Sequence, residues 1–225
     1  MYLALITDVI DSKMVQERFD LQKQLEKTLQ KMNELFADYL ASCFTLTLGD
    51  EFQALLKVNA PIFHIIDTLR SEISPTQLRF GIGLGEIVTA IDPLISIGAD
   101  GPAYWNARAA INMVHQKNDY GNTQIYFSSG NEKHDFFVNA LIASGEAIRS
   151  GWRGSQEEIL QDLLKRFVYS ENFSQQDLAQ SLTINPSALS KRLKSSSIRV
   201  YLRGREAGLA SIQALAKGDG HDRIA

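Results

Sequence analysis

The chain has 225 residues, 44% of them apolar, and a formal net charge of −3, enough for one large domain or for a medium one and a small one. One cysteine, Cys43, and four scattered histidines at 64, 115, 134 and 221 exclude an internal disulfide and any recognisable zinc spacing. No window holds the roughly 18 apolar residues of a membrane span, and the opening MYLALITD brings a charge too early for a signal peptide, so a cytoplasmic protein is expected.

The charge is unevenly spread. Residues 1–150 carry 12 Lys and Arg against 18 Asp and Glu, whereas residues 151–225 carry 11 against 8. No acid falls between Leu178 and Arg205, yet Lys191, Arg192, Lys194, Arg199, Arg203 and Arg205 do. A basic run of this kind reads either as a phosphate-facing surface or as a solvated helix face.

In chain order, Tyr2 to Ile6 predicts a short strand, and apolar residues at helical spacing predict a long helix over about Met14 to Ala41. Phe44 to Leu48 and Phe52 to Leu56, joined by Gly49-Asp50-Glu51, predict a β-hairpin. Pro61 opens a second helix, and Leu78 to Val88 reads as a strand whose Gly81, Gly83 and Gly85 leave one face bare. A Gly, Pro and Asp-rich loop over 92–102 precedes a helix near Ala103 to His115. A strand over Thr123 to Phe127 and a helix over His134 to Arg149 follow. The first six elements, β-α-β-β-α-β, fit an α+β, ferredoxin-like plan with its helices on one side of an antiparallel sheet. The Gly and Ser content of residues 150–155 marks a boundary between a first domain, 1–150, and an all-α second one, 151–216, with a flexible tail over 217–225.

Residues 173–194 carry the most specific local pattern. Ser174 is placed to cap one helix and Asn185 a second, Pro186 takes the first turn of the second helix, and Leu178, Leu182, Leu189 and Leu193 form the inward stripe. This is the pattern of a helix-turn-helix. Ser187, Ser190, Lys191 and Lys194 would then project from its second helix toward a DNA groove or phosphates, the alternative being a helical hairpin for protein contacts. Thr183 stands where the motif commonly has a glycine with positive φ, so the turn is expected to be strained or altered. A further helix is expected over Ile198 to Ala216.

In a ferredoxin-like sheet the end of the first strand and the hairpin lie side by side, which brings Asp8 and Asp50 together. Two facing carboxylates repel unless a cation neutralises them. Leu5-Ile6-Thr7-Asp8-Val9-Ile10-Asp11-Ser12 resembles the metal-binding first strand of class III nucleotidyl cyclases. Leu48-Gly49-Asp50-Glu51-Phe52 resembles their hairpin, and Arg79 to Glu86 their glycine-rich strand. The order and spacing of these segments, with the helix-turn-helix, most resemble the SatD family, a cyclase-like palm with a terminal helix-turn-helix.

The resemblance implies Mg²⁺ or Mn²⁺ on Asp8, Asp50 and the carbonyl of Val9, and a nucleoside triphosphate or cyclic nucleotide held through Ile10, Asp11, Ser12, Gly49, Gly83, Gly85 and Arg108. It also implies a homodimer. Cyclases carry glycine at the place of Asp11, so that carboxylate would either add a ligand or repel phosphate; Lys13 would either meet a phosphate or sit exposed. Cyclisation further needs an Asn and an Arg one helical turn apart, whereas Asn106 and Arg108 are two residues apart and diverge by about 200°. The expectation is therefore a DNA-binding regulator whose palm binds a purine nucleotide with a metal. The rivals are an active cyclase or related phosphotransfer enzyme, and a ligand-free palm acting as a dimer scaffold.

Overall fold

The computed structural model describes residues 1–12, 18–116 and 118–218. The expectations for Lys13 and for the tail beyond Gly218 lie outside the described residues. The elements run β1 (Tyr2–Val9), α1 (Arg18–Leu35), β2 (Leu40–Leu48), β3 (Glu51–Lys57), α2 (Ile62–Ile73), β4 (Leu78–Gly85), α3 (Pro102–His115), β5 (Ile125–Ser128) and α4 (Glu132–Ser150). They continue through α5 (Gly154–Lys165), α6 (Gln175–Ser181), α7 (Pro186–Ser196) and α8 (Ile198–Ala216). The fold is α+β, with one five-stranded mixed sheet in the order β2-β3-β1-β4-β5. β1 runs antiparallel to both β3 and β4, β2 antiparallel to β3, and β5 parallel to β4.

Two expectations about element bounds need correction. The apolar stripe of α1 stops at Leu35, and a 3-10 turn over Ala37–Tyr39 passes the chain into β2 at Leu40, so Tyr39 and Leu40 leave the helix. The boundary expected over residues 150–155 is shorter than that, because helix α5 already begins at Gly154.

The sheet is also covered on both faces, not one. Leu3, Leu5 and Val9 of β1 face the larger core with α1, α2 and Ile212 of α8, while Ala4 and Ile6 face α3 through Ala103, Ala107 and Ile111. This is where the bare glycine face is used. A Cβ on Gly83 would stand 2.1 Å from the Ala103 carbonyl oxygen and 2.2 Å from the Ala107 nitrogen. One on Gly85 would stand 2.5 Å from the Ala103 nitrogen. Backbone cannot yield as a side-chain tip does, so glycine is required for α3 to lie on β4. Gly83 and Gly85 therefore front a helix and not an open ligand surface.

Helices α5 to α8 enclose their own core around Ile159, Leu163, Leu178, Leu189, Tyr201 and Leu202. This part is not a loosely tethered module, because α8 reaches back onto α4 and places Ile212 in the sheet's core. Charge anchors it as well. The Arg205 side chain, 1% exposed, donates to Glu146 at 2.7 Å and to the Tyr201 hydroxyl at 3.1 Å, and its guanidinium lies over the Phe63 ring. Arg70 meets the same Glu146 with two bonds of 2.7 and 2.8 Å. Burial alone would push the Glu146 carboxyl up, but Arg70, Arg205 and Arg149 hold it at about 2. Beside this cluster, fully buried Asp67 accepts from Arg149 at 2.7 Å and from the hydroxyls of Tyr169 and Tyr201 at 2.6 Å each.

His64 is buried against Phe36, Phe167 and Tyr169, stacked flat on the last at 5.0 Å, and its Nε2 has no hydrogen-bond partner among the described residues. Burial drives its pKa down to about 4, against a smaller upward pull from Asp67. The folded state thus refuses a proton that the unfolded chain accepts below about pH 6.5. Stability is whole above that pH and falls as pH drops toward 4, by roughly 3 kcal/mol from this group. Urea unfolding over that range is expected to lose a corresponding part of its pH slope in His64→Phe; an unchanged slope would mean that His64 does not titrate in this environment.

Candidate functional site

The end of β1 and the β2–β3 hairpin meet as the strand pairing requires. Asp8 stands opposite Glu51, and the Val9 N–H donates to the Asp50 carbonyl at 3.2 Å. Gly49 turns the hairpin with φ of +59°, a left-handed conformation that glycine adopts without strain. Asp11 takes φ of +53°, which aspartate tolerates better than most residues. Asp11 thus keeps a glycine-like backbone at that place while its side chain is exposed.

Asp8, Asp50 and Glu51 all have partners. The Asp8 carboxylate, 12% exposed, is bridged by Arg79 at 3.2 Å through Oδ1 and by His115 at 2.6 Å through Oδ2. Burial raises its pKa, against the opposing charges of His115 and Arg79. Asp50 accepts a hydrogen bond from the Ser12 hydroxyl. Glu51 accepts two from Arg108, at 2.7 and 2.9 Å, and these bonds, against the opposing effect of burial, hold its carboxyl below its ordinary range. Asp8 and Glu51 are thus met by Arg79, His115 and Arg108, and Asp50 by a hydroxyl.

In this arrangement the donors do not fit a divalent cation. Both Asp8 oxygens are engaged, one by the Arg79 guanidinium and the other by the His115 imidazole, and no group of three His, Cys, Asp or Glu side chains converges on one point among the described residues. The resemblance further implies that the turn from Val9 to Ser12 cradles nucleotide phosphates through its four backbone N–H groups, and this too needs correction. The Val9 N–H is used by Asp50, and the Ile10 N–H donates to the Gln77 carbonyl at 2.9 Å. Two of its four backbone donors are therefore already committed.

Helix α3 separates its polar residues as its geometry demands. Asn106 turns into the sheet and donates to the Leu84 carbonyl at 2.8 Å, while Arg108 points to Glu51. Arg108 shares its side of the helix with Trp105, Asn112 and His115, at spacings of three, four and three residues. Trp105, Arg108 and Asn112, with Ile6, Thr47 and Gln53 of the sheet, line a cavity of about 670 Å³. Arg79, Trp105, Asn112 and His115 were not singled out as site residues from the sequence. The α3 spacing held the signal for three of them; Arg79 meets Asp8 only through the β1–β4 register.

In the second part, the Ser174 side chain accepts from the Asp177 N–H at 3.2 Å and the Asn185 side chain from the Ala188 N–H at 2.7 Å, so both capping residues act as expected. Thr183 adopts φ of +52° between the helices, so the turn keeps the left-handed geometry despite its β-branched residue. Ser187, Ser190, Lys191 and Lys194 are all exposed on α7. The basic run otherwise turns inward or sideways. Arg192 pairs with Glu158, Arg203 with Glu171 and Arg205 with Glu146, while Arg199 donates to the Glu171 carbonyl. Lys191 and Lys194 have no ion pair among the described residues.

The structure thus belongs to an α+β protein with a helical C-terminal part docked on its sheet domain. Residues 2–212 match the model of the SatD family, and the chain belongs to that family. No curated protein matches the chain. Among the described residues no helix is long and apolar enough to cross a membrane.

Because both Asp8 oxygens already have protein partners, Mg²⁺ or Mn²⁺ alone at millimolar concentration is expected to leave the thermal unfolding midpoint unchanged at neutral pH. A saturable rise that disappears in Asp50→Asn would show that the carboxylates gather a cation after all.

Proposed function

We propose that this protein is a DNA-binding regulator whose sheet domain is a nucleotidyl-cyclase-like palm that binds a purine nucleotide. The DNA reading is carried by one observation: α7 exposes Ser187, Ser190, Lys191 and Lys194 together, and its two lysines are spared the pairing that consumes the neighbouring arginines. A lysine without an intramolecular partner can release counterions from a phosphate at little internal cost. The capped helix pair, with its left-handed turn at Thr183, supports the helix-turn-helix reading of residues 173–194.

The palm reading is supported by the strand order β2-β3-β1-β4, antiparallel throughout, with α1 and α2 making the crossovers on one face. Nucleotide binding rests on the resemblance of the β1 end and hairpin, together with the cavity beside Arg108. Cyclisation is not proposed, since Asn106 and Arg108 are turned to different partners.

Lys191→Ala and Lys194→Ala are each expected to weaken binding to duplex DNA across sequences and to lower the slope of log K against log salt by about one. Fluorescence anisotropy with labelled duplexes at several salt concentrations measures both. Affinity and slope unchanged in the double variant would mean that α7 is not the DNA-facing surface.

A further inference from the structure

The cavity between α3, the sheet and the loop over 96–99 has a character that the carboxylate cluster lacks. Ile6 is among its lining residues, and Arg108, the one charged lining residue among the described ones, is already bidentate to Glu51. A phosphate has little to gain inside it. A flat, largely apolar group with hydrogen-bonding edges fits better, because the wall offers an indole face and an amide.

The wall is preformed. The Trp105 ring is 56% exposed yet held in place by its Nε1–H, which donates to Asp100 at 2.7 Å. An indole both exposed and fixed is a stacking platform. The opposing loop is pinned at buried Ser96, whose carbonyl accepts from Gln53 at 2.7 Å and whose hydroxyl donates to the Gln53 carbonyl at 3.1 Å. Two helical turns from Trp105, about 10 Å along the axis, Asn112 is exposed and its side-chain amide has no hydrogen-bond partner among the described residues. A carboxamide sets an N–H donor beside a carbonyl acceptor, the pairing that an adenine edge accepts in bidentate fashion.

We infer that this cavity is a purine-base pocket, in which the base stacks on Trp105 and is read by Asn112 while the ribose end leaves past Arg108, without a divalent metal. The inference rests on the proposed nucleotide-binding reading and changes where the base is held. It requires that a bare nucleoside suffices for binding, because recognition lies in the base and not in the phosphates.

Calorimetric titration of the full chain with adenosine, AMP, guanosine and ribose 5-phosphate, each in EDTA and in Mg²⁺, tests this. Adenosine and AMP are expected to bind equally with and without metal, and ribose 5-phosphate not to bind. Trp105→Ala and Asn112→Ala should each weaken adenosine roughly ten-fold or more, and Trp105→Phe should largely restore it. Thermal midpoints check that the variants fold. Nucleotide binding that needs Mg²⁺ and ignores Trp105→Ala would overturn the pocket but leave the nucleotide reading standing. No binding by any nucleoside or nucleotide in either buffer would overturn both. A change in molecular mass on Trp105→Ala, with adenosine binding absent from the parent chain, would assign this face to a second copy and overturn the pocket.

Discussion

The contact on which the architecture depends is the buried pairing of Arg205 with Glu146. A guanidinium and a carboxylate this deep are tolerated only as partners; without Glu146 the buried Arg205 loses its carboxylate, at a cost of about 3 to 5 kcal/mol, whereas Glu146 without Arg205 keeps Arg70. Arg205 belongs to α8 and Glu146 to α4, so the pair closes the C-terminal helices onto the sheet domain. Arg70 adds α2 to the same carboxylate, and Arg149 joins Asp67 to Glu157 of α5. Gly145 leaves space where the Arg205 guanidinium lies, its absent Cβ being 3.4 Å from that group's central carbon. The helices that present α7 are consequently fixed by charge as well as by apolar packing.

The same rule of pairing decides what is left over for ligands. At the β1 end Asp8 is met by Arg79 and His115 and Glu51 by Arg108, which removes the repulsion that would otherwise invite a metal. In the basic run between Leu178 and Arg205 the arginines are taken up by acids or carbonyls of the protein itself, and Lys191 and Lys194 remain. Among the described residues, the exposed side of α7 and the aromatic, amide-lined cavity beside α3 are two places that face solvent with unsatisfied chemistry.

Much of the fold was legible because its elements are strongly patterned. The hairpin about Gly49, the strand from Leu78, the two capped helices at Ser174 and Asn185, and the helix over 198–216 lie where periodicity and capping place them. The end of α1 was not, because Tyr39 and Leu40 continue the helical spacing by coincidence while packing from a strand end. The glycines of β4 reveal a bare face without saying what covers it, and a helix does so here. Basic residues between 178 and 205 advertise charge but not direction: Arg205 finds its acid 59 residues away, and Arg79 finds Asp8 across 71. Long-range pairing is set by register and packing, and local sequence does not report it.

The central claim is that the sheet domain and the helices carrying α7 form one cooperative body. The two tryptophans report on each part separately. Trp105 stands on the sheet's α3 face, and Trp152 packs 5.0 Å from Tyr201 and donates to the Ser196 carbonyl at 2.6 Å. Guanidinium unfolding of the single-tryptophan variants Trp105→Phe and Trp152→Phe, each followed by fluorescence and by helical circular dichroism, measures the coupling. The account predicts that within each variant the two signals share one midpoint and one slope. A first transition seen by Trp152 well below the one seen by Trp105, with part of the helical signal lost in each, would contradict it.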